Sequence, residues 1–228
     1  MGDLIKFSAN GKSGSGYIAL PQSGAGPAVI VIQEWWGLVG HIKDIVDRFA
    51  NAGFVAIAPD LYHGQAAAEP DMAKKLMMEL DLNQAGDEIA AAASFLLSLK
   101  QCNSTAVGVV GFCMGGSLSI WSGTLCDEIS ATVAFYPGAS WERHAPNWAN
   151  FAGKAALIHC AQSDGTSSAP GIQEALNKIQ GAGGSAQAYD YPSTQHAFFN
   201  NDRQEVFNES AAKLAWGRTI NFLATHLR

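Results

Sequence analysis

The run Ala28–Ile32, A-V-I-V-I, leaves this chain few folds to choose from. Five apolar residues, mostly β-branched and without polar alternation, suit a strand covered on both faces, as in a parallel sheet with helices packed on each side. Phe54–Ala58, the run entering at Val107, Ala131–Tyr136 and Ala155–Ala161 also read as strands. Helical patterns lie between them. His41–Ala52 puts Ile42, Ile45, Val46 and Phe49 on one stripe and closes at Gly53, and Ala85–Leu99 is strongly amphipathic. Met72–Leu80, Gly115–Leu125, Gly171–Gln180 and Phe207–His226 are further expected helices, and Ala186–Tyr191 a further strand. Ile5–Phe7 and Gly16–Leu20 flank the Asn10-Gly11 turn as a hairpin. Asn103-Ser104 reads as a separator before the Val107 strand, while Leu61–Pro70 and Pro137–Ala152 read as loops. Alternating strands and helices force parallel pairing through right-handed crossovers. The expectation is an α/β chain forming a single domain over residues 1–228, a mostly parallel open sheet flanked by helices on both faces.

The 228 residues include 48% apolar side chains, enough for one sizeable core. The net charge is -6 and the lysines and arginines are scattered, so no footprint for nucleic acid or an anionic membrane is present. A small molecule is the expected partner. Neither a signal-peptide pattern nor a bilayer-spanning apolar run is found, which points to a soluble, cytoplasmic protein, as a monomer or weak homodimer. Cys102, Cys113, Cys126 and Cys160 lie far apart with no C-x-x-C pair, so free thiols in a reducing compartment are expected. His159 and Cys160 would face opposite sides of a strand. No metal site and no cofactor are called for.

Ligands of such sheets bind at the carboxyl ends of strands. Glu34, Asp60, Cys113, Asp164 and His196 each fall just past an expected strand. Val107–Gly116, V-G-V-V-G-F-C-M-G-G, runs a buried strand into Cys113 among Gly111, Gly115 and Gly116. By itself it has two readings: a nucleophile elbow, or a packed cysteine in a glycine-rich turn. The other strand ends supply an acid and a histidine, and the order Cys113, Asp164, His196 is that of α/β-hydrolases. A thiol needs a base to become a thiolate, and the base needs a third group to orient it.

These motifs resemble the dienelactone hydrolase family of α/β-hydrolases along nearly the whole chain. The resemblance rests on Gln33-Glu34-Trp35-Trp36-Gly37 with His41-Ile-Lys-Asp44, on Ala58-Pro-Asp-Leu-Tyr62, and on Gly111-Phe-Cys-Met-Gly-Gly116. Gln162-Ser-Asp164 and Gln195-His-Ala-Phe198 complete it. It implies an α/β-hydrolase fold and a catalytic triad of Cys113, Asp164 and His196, with Glu34 contacting the resting thiol. It also implies an oxyanion hole from the backbone N–H groups of Trp35 and Met114. One departure concerns the substrate. Family members that act on the dienelactone hold its carboxylate with arginines and a tyrosine, whereas this chain has Asn200 after the histidine and Lys74 in the Pro70–Lys75 region. Arg203 is the nearest substitute.

The expected function is therefore hydrolysis of a small carboxylic ester or lactone, dienelactone-like, through a Cys113 acyl-thioenzyme with His196 as base and Asp164 orienting it. Trp36, Tyr62, Lys74, Phe198 and Arg203 are the candidate pocket residues. The competing readings are a broad-specificity carboxylesterase, a catalytically inactive binding domain on the same fold, and a thiol peptidase or acyltransferase. Asp60 and His41, His63, His144, His159 and His226 are read as structural, and Cys102, Cys126 and Cys160 as small core residues.

Overall fold

The computed structural model describes residues 1–138, 141–165 and 169–227. Its strands are β1 (Asp3–Ala9), β2 (Lys12–Ala19), β3 (Gly26–Ile32), β4 (Val55–Pro59), β5 (Cys102–Phe112), β6 (Ile129–Phe135), β7 (Ala155–Ala161) and β8 (Ser185–Tyr191). They form one sheet in the order β1-β2-β4-β3-β5-β6-β7-β8. The β1–β2 hairpin joins β4 antiparallel, and every other pairing is parallel. The helices are α1 (Gly40–Asn51), α2 (Pro70–Glu79), α3 (Leu82–Ser98), α4 (Met114–Ser122), α5 (Pro170–Gly181) and α6 (Glu209–His226). No helix among the described residues is long and apolar enough to cross a membrane.

Side-chain alternation builds two cores from one strand. Ala28, Ile30 and Ile32 of β3 pack with Ile89 of α3, Leu118 of α4 and Ile179 of α5. Val29 and Val31 pack on the opposite face with Ile45 and Phe49 of α1 and Leu223 of α6. With β3 and the inner half of β5 buried on both faces, the two strands end side by side at one edge of the sheet.

Several boundaries differ from the sequence-based expectation. Asn103 and Ser104 lie inside β5, not ahead of it, because Cys102–Ala106 is the half-exposed outer end of the strand and polar residues fit its solvent side. Ser104 also supports the pairing: its hydroxyl accepts from the Ala28 N–H at 3.1 Å and donates to the Ala106 carbonyl at 2.8 Å. Helix α3 begins three residues earlier than its apolar stripe, where the Asp81 side chain caps the N–H groups of Asn83 (2.8 Å) and Gln84 (3.2 Å). Glu69 and Pro70 likewise start α2 ahead of Met72, with the Glu69 carboxylate accepting from Met72 N. The 137–152 stretch holds two short 3-10 turns, at Glu142–His144 and Trp148–Phe151.

Candidate active site

Strand β5 delivers Cys113 to the middle of the sheet edge in a conformation that L-residues rarely adopt, with φ 56° and ψ -118°. Its N–H donates to Phe135 O at 3.0 Å, tying the turn to the end of β6. The glycines around it allow the fit. A Cβ on Gly115 would meet the backbone oxygens of Ile32 (2.5 Å) and Gln33, and one on Gly116 would lie 2.8 Å from Phe135 O. Tyr136, Ser193 and Ala197 also have positive φ (39°, 60° and 65°). Such residues cost about 1–3 kcal/mol each and persist where surrounding structure over-determines them. Here they gather at the ends of β5, β6 and β8, around one point.

The β7 and β8 ends are stitched together. Ser163 N–H donates to Thr194 O (3.3 Å), Gln162 N–H to Thr194 Oγ1 (3.3 Å), His196 N–H to Ser163 Oγ (2.8 Å), and Ser193 N–H to the Gln162 side-chain oxygen. This frame sets His196 Nδ1 2.5 Å from Asp164 Oδ2. Burial opposes protonation of the imidazole, but its hydrogen bonds to Asp164 and Cys113, together with their charges, push the His196 pKa up to about 10. The Tyr136 ring lies 5.0 Å from the imidazole, centroid to centroid.

Glu34, two residues past β3, is 1% exposed. Its carboxylate accepts from Asn200 Nδ2 at 2.9 Å and from the Tyr136 hydroxyl at 3.3 Å. Burial, then the charges of Glu34 and Cys113, hold the Tyr136 phenol well above its ordinary pKa, so it acts as a neutral donor. His41 completes this buried set. Its Nδ1 pairs with Asn201 Oδ1 at 3.2 Å, and burial lowers its pKa against the opposing pull of Glu34.

Cys113, Met114 and His196 line a cavity of about 260 Å³ with Met77, Leu80, Leu82, Ser117, Leu118, Gly138, Arg143 and His144. Trp35 and Trp36 stack edge-on (5.1 Å) in a turn pinned by Ala67 N–H to Trp36 O, and pack on the α2 side. Tyr62 is buried, and its hydroxyl donates to Met114 Sδ at 3.5 Å. Burial, then the nearby Cys113, raises the Tyr62 phenol pKa.

None of the five expected pocket residues lines this cavity: Trp36 and Tyr62 pack against α2 instead, and the other three sit elsewhere. Phe198 is fully buried under the site, packed on Tyr191 (5.0 Å) and Tyr136 (5.4 Å), because the turn closed by Phe198 N–H to Gln195 O rotates its ring inward. Lys74 is exposed on α2 and is not part of the cavity wall. Arg203 is occupied by Glu205, Nε to Oε1 2.9 Å. Asp60 closes its own turn, accepting from Tyr62 N–H and Gly64 N–H. Tyr136 and Arg143 were not singled out by the sequence, and His144 was read there as structural. Tyr136 occupies a strand end like the others, which is a usable signal, whereas nothing periodic marks Arg143 or His144.

The model of the dienelactone hydrolase family matches residues 15–227. The chain is 37% identical to "Protein usf" of Aquifex pyrophilus and 34% identical to an Aquifex aeolicus protein provisionally named carboxymethylenebutenolidase, in each case over the whole of both chains. Among solved structures, one from Klebsiella pneumoniae, provisionally titled a dienelactone hydrolase, superposes with a TM-score of 0.79 at 24% identity, covering 99% of this chain and 100% of the other. That structural likeness extends to the α/β-hydrolase fold.

Proposed function

The chain belongs to the dienelactone hydrolase family, hydrolases that act on ester bonds, and from that premise we propose that it cleaves small carboxylic esters or lactones through Cys113, His196 and Asp164. The observation that carries the reading is the 2.5 Å contact of His196 with Asp164, on an imidazole that shares its cavity with Cys113 on the elbow. With Asp164 fixing Nδ1, the other ring nitrogen is left to the thiol. The high His196 pKa favours the imidazolium paired with a thiolate, and the thiolate is the attacking species.

Attack on the ester carbonyl forms the carbon–sulfur bond and moves an electron pair to the carbonyl oxygen. The backbone N–H groups of Trp35 and Met114 are the proposed donors to that oxyanion. Collapse expels the alkoxide, which takes the proton from His196, and leaves an acyl-thioenzyme. The now neutral imidazole then draws a proton from water as it attacks the acyl carbon. Release of the acid restores the thiolate–imidazolium pair. Glu34, held by the neutral donors Asn200 and Tyr136, is the proposed neighbour that orients the resting site.

The test is turnover of para-nitrophenyl esters and of a five-membered lactone by wild type, Cys113→Ala and His196→Ala. Each variant is expected to lose about 100-fold or more in kcat/KM. Full activity in either would overturn the assignment. A peptide or acyl-acceptor product in place of free acid would favour a thiol peptidase or acyltransferase.

A further inference from the structure

The two N–H groups assigned to the oxyanion come from different elements, Trp35 from the loop after β3 and Met114 from the first residue of α4, and one side chain reaches both. That side chain is Tyr62, buried on the loop after β4. Three contacts join its loop to the one that carries Trp35. Leu61 N–H donates to Gln33 Oε1 (3.3 Å), Ala67 N–H donates to Trp36 O (2.9 Å), and Gly37 forms an antiparallel bridge with Ala66. Asp60 closes the turn below Tyr62 by accepting from Tyr62 N–H (3.3 Å) and Gly64 N–H (2.7 Å). The Tyr62 ring packs with Trp35 and Trp36 and stands so close to Gly37 that a Cβ there would come within 3.3 Å of Tyr62 Cδ2. Its hydroxyl donates in the other direction, to Met114 Sδ at 3.5 Å, its one hydrogen bond among the described residues. A thioether is a weak acceptor, so the surrounding loop, rather than the strength of that bond, brings the phenol to it. Burial, then the nearby Cys113, raises the Tyr62 pKa and keeps the hydroxyl a neutral donor.

We propose that Tyr62 is a positioning residue that braces the Trp35 loop against the start of α4, holding the two N–H groups at the spacing one oxyanion needs. The proposal rests on the assignment of those N–H groups in the preceding section. Neither donor is fixed by a hydrogen bond of its own. An N–H at the first residue of a helix has no partner within the helix, and Trp35 N–H has no acceptor among the described residues. Nor does the sheet fix them, because the pairing of β3 with β5 ends at Ile32 with Gly111, and both donors stand beyond it. The close approach of Gly115 to Gln33 O limits how near the two backbones can come. Tyr62 limits how far apart they can drift, since its loop moves with Trp35 while its hydroxyl restrains Met114. A misplacement of about 1 Å at either donor is enough to cost roughly 100-fold in the step that forms the oxyanion.

The experiment compares reactions that form an oxyanion with one that does not. Turnover of para-nitrophenyl butanoate, read as kcat/KM, forms one. So does reversible inhibition by trifluoromethyl butyl ketone, in which Cys113 Sγ bonds to the ketone carbon and the carbonyl electron pair moves to the oxygen. Alkylation of Cys113 by iodoacetamide, followed by mass spectrometry, displaces iodide and forms none. Tyr62→Phe keeps the ring and removes the hydroxyl, and Met114→Leu keeps the N–H and the volume but removes the sulfur. Each is expected to lower kcat/KM and ketone affinity about tenfold while the alkylation rate stays at the wild-type value. The double variant is expected to lose no more than either single one, because both break the same tie. Alkylation that falls in step with turnover, or losses that multiply in the double variant, would overturn the brace. Wild-type ester turnover that Tyr62→Phe leaves intact overturns the brace and keeps the esterase reading. If wild type cleaves no ester but its ketone affinity still depends on Tyr62, the brace stands and the esterase reading falls; if wild type does neither, both fall.

Discussion

His159 offers the best-defined test of how the site is braced. It sits in β7, five residues before Asp164, with no exposed surface. Its Nδ1 pairs with the Tyr191 hydroxyl at 2.8 Å and its Nε2 with Thr219 Oγ1 at 3.0 Å, so one ring ties β7, β8 and α6 together. Phe135 and Tyr189 cover it, and Arg218 donates to Tyr191 at 3.1 Å from just beyond. Burial, then the Arg218 charge, lowers its pKa from 6.5 to about 3. The folded pKa is below the unfolded one, so His159 costs nothing above pH 6.5, and stability falls as pH drops through 6.5 toward 3, because only the unfolded chain takes up the proton. At 1.36 kcal/mol per pH unit, the step from pH 6.5 to pH 5 removes about 2 kcal/mol. His159→Gln keeps some hydrogen bonding but abolishes the titration. Guanidinium unfolding followed by tryptophan fluorescence at pH 7 and pH 5 should show wild type losing about 2 kcal/mol more than the variant between the two pH values. Parallel losses in the two proteins would refute the reasoning, whatever the variant's stability at pH 7.

Gly115→Ala is expected to fold but to lose about 100-fold in ester turnover, because its Cβ meets the backbone oxygens of Ile32 and Gln33 and pushes the elbow from the strand end that carries Glu34 and Trp35. Normal turnover would show the elbow to be looser than its packing implies. Asp164→Asn should bring the His196 pKa down from about 10, read by NMR titration of the imidazole. The folded pKa lies above the unfolded one, so the stability that the pair contributes is complete below pH 6.5 and is lost as pH rises through about 10. In Asp164→Asn that fall should flatten, and an unchanged profile would count against the pair.

The features legible in the sequence were those written as pattern. Ala28–Ile32 and Ala155–Ala161 coincide with the cores of β3 and β7, because full burial on both faces favours an apolar run, His159 being the one polar side chain in it, with both ring nitrogens partnered. The strand ends were legible for the same reason: once the apolar run stops, the next polar residues stand at the edge of the sheet, and Cys113, Asp164 and His196 are brought to one place there. What pattern cannot show is rotation and recruitment. Phe198 follows the base closely enough to be a pocket residue, but a single turn sends its ring into the core. Tyr136 looks like the last residue of a strand until its φ of 39° turns the hydroxyl onto Glu34. Arg143 and His144 come from a stretch without periodicity and reach the cavity only through the tertiary fold.

The position where the chain departs from the family resemblance is also where its electrostatics change. Asn200 donates its amide to Glu34, with Tyr136 as the second donor, so the buried carboxylate is held by neutral groups. A cationic side chain in place of Asn200 would have been an ion-pair partner for Glu34; the amide instead leaves the carboxylate to two dipolar donors, one from the loop after β8 and one from the end of β6, so that the same two hydrogen bonds tie three strand ends together.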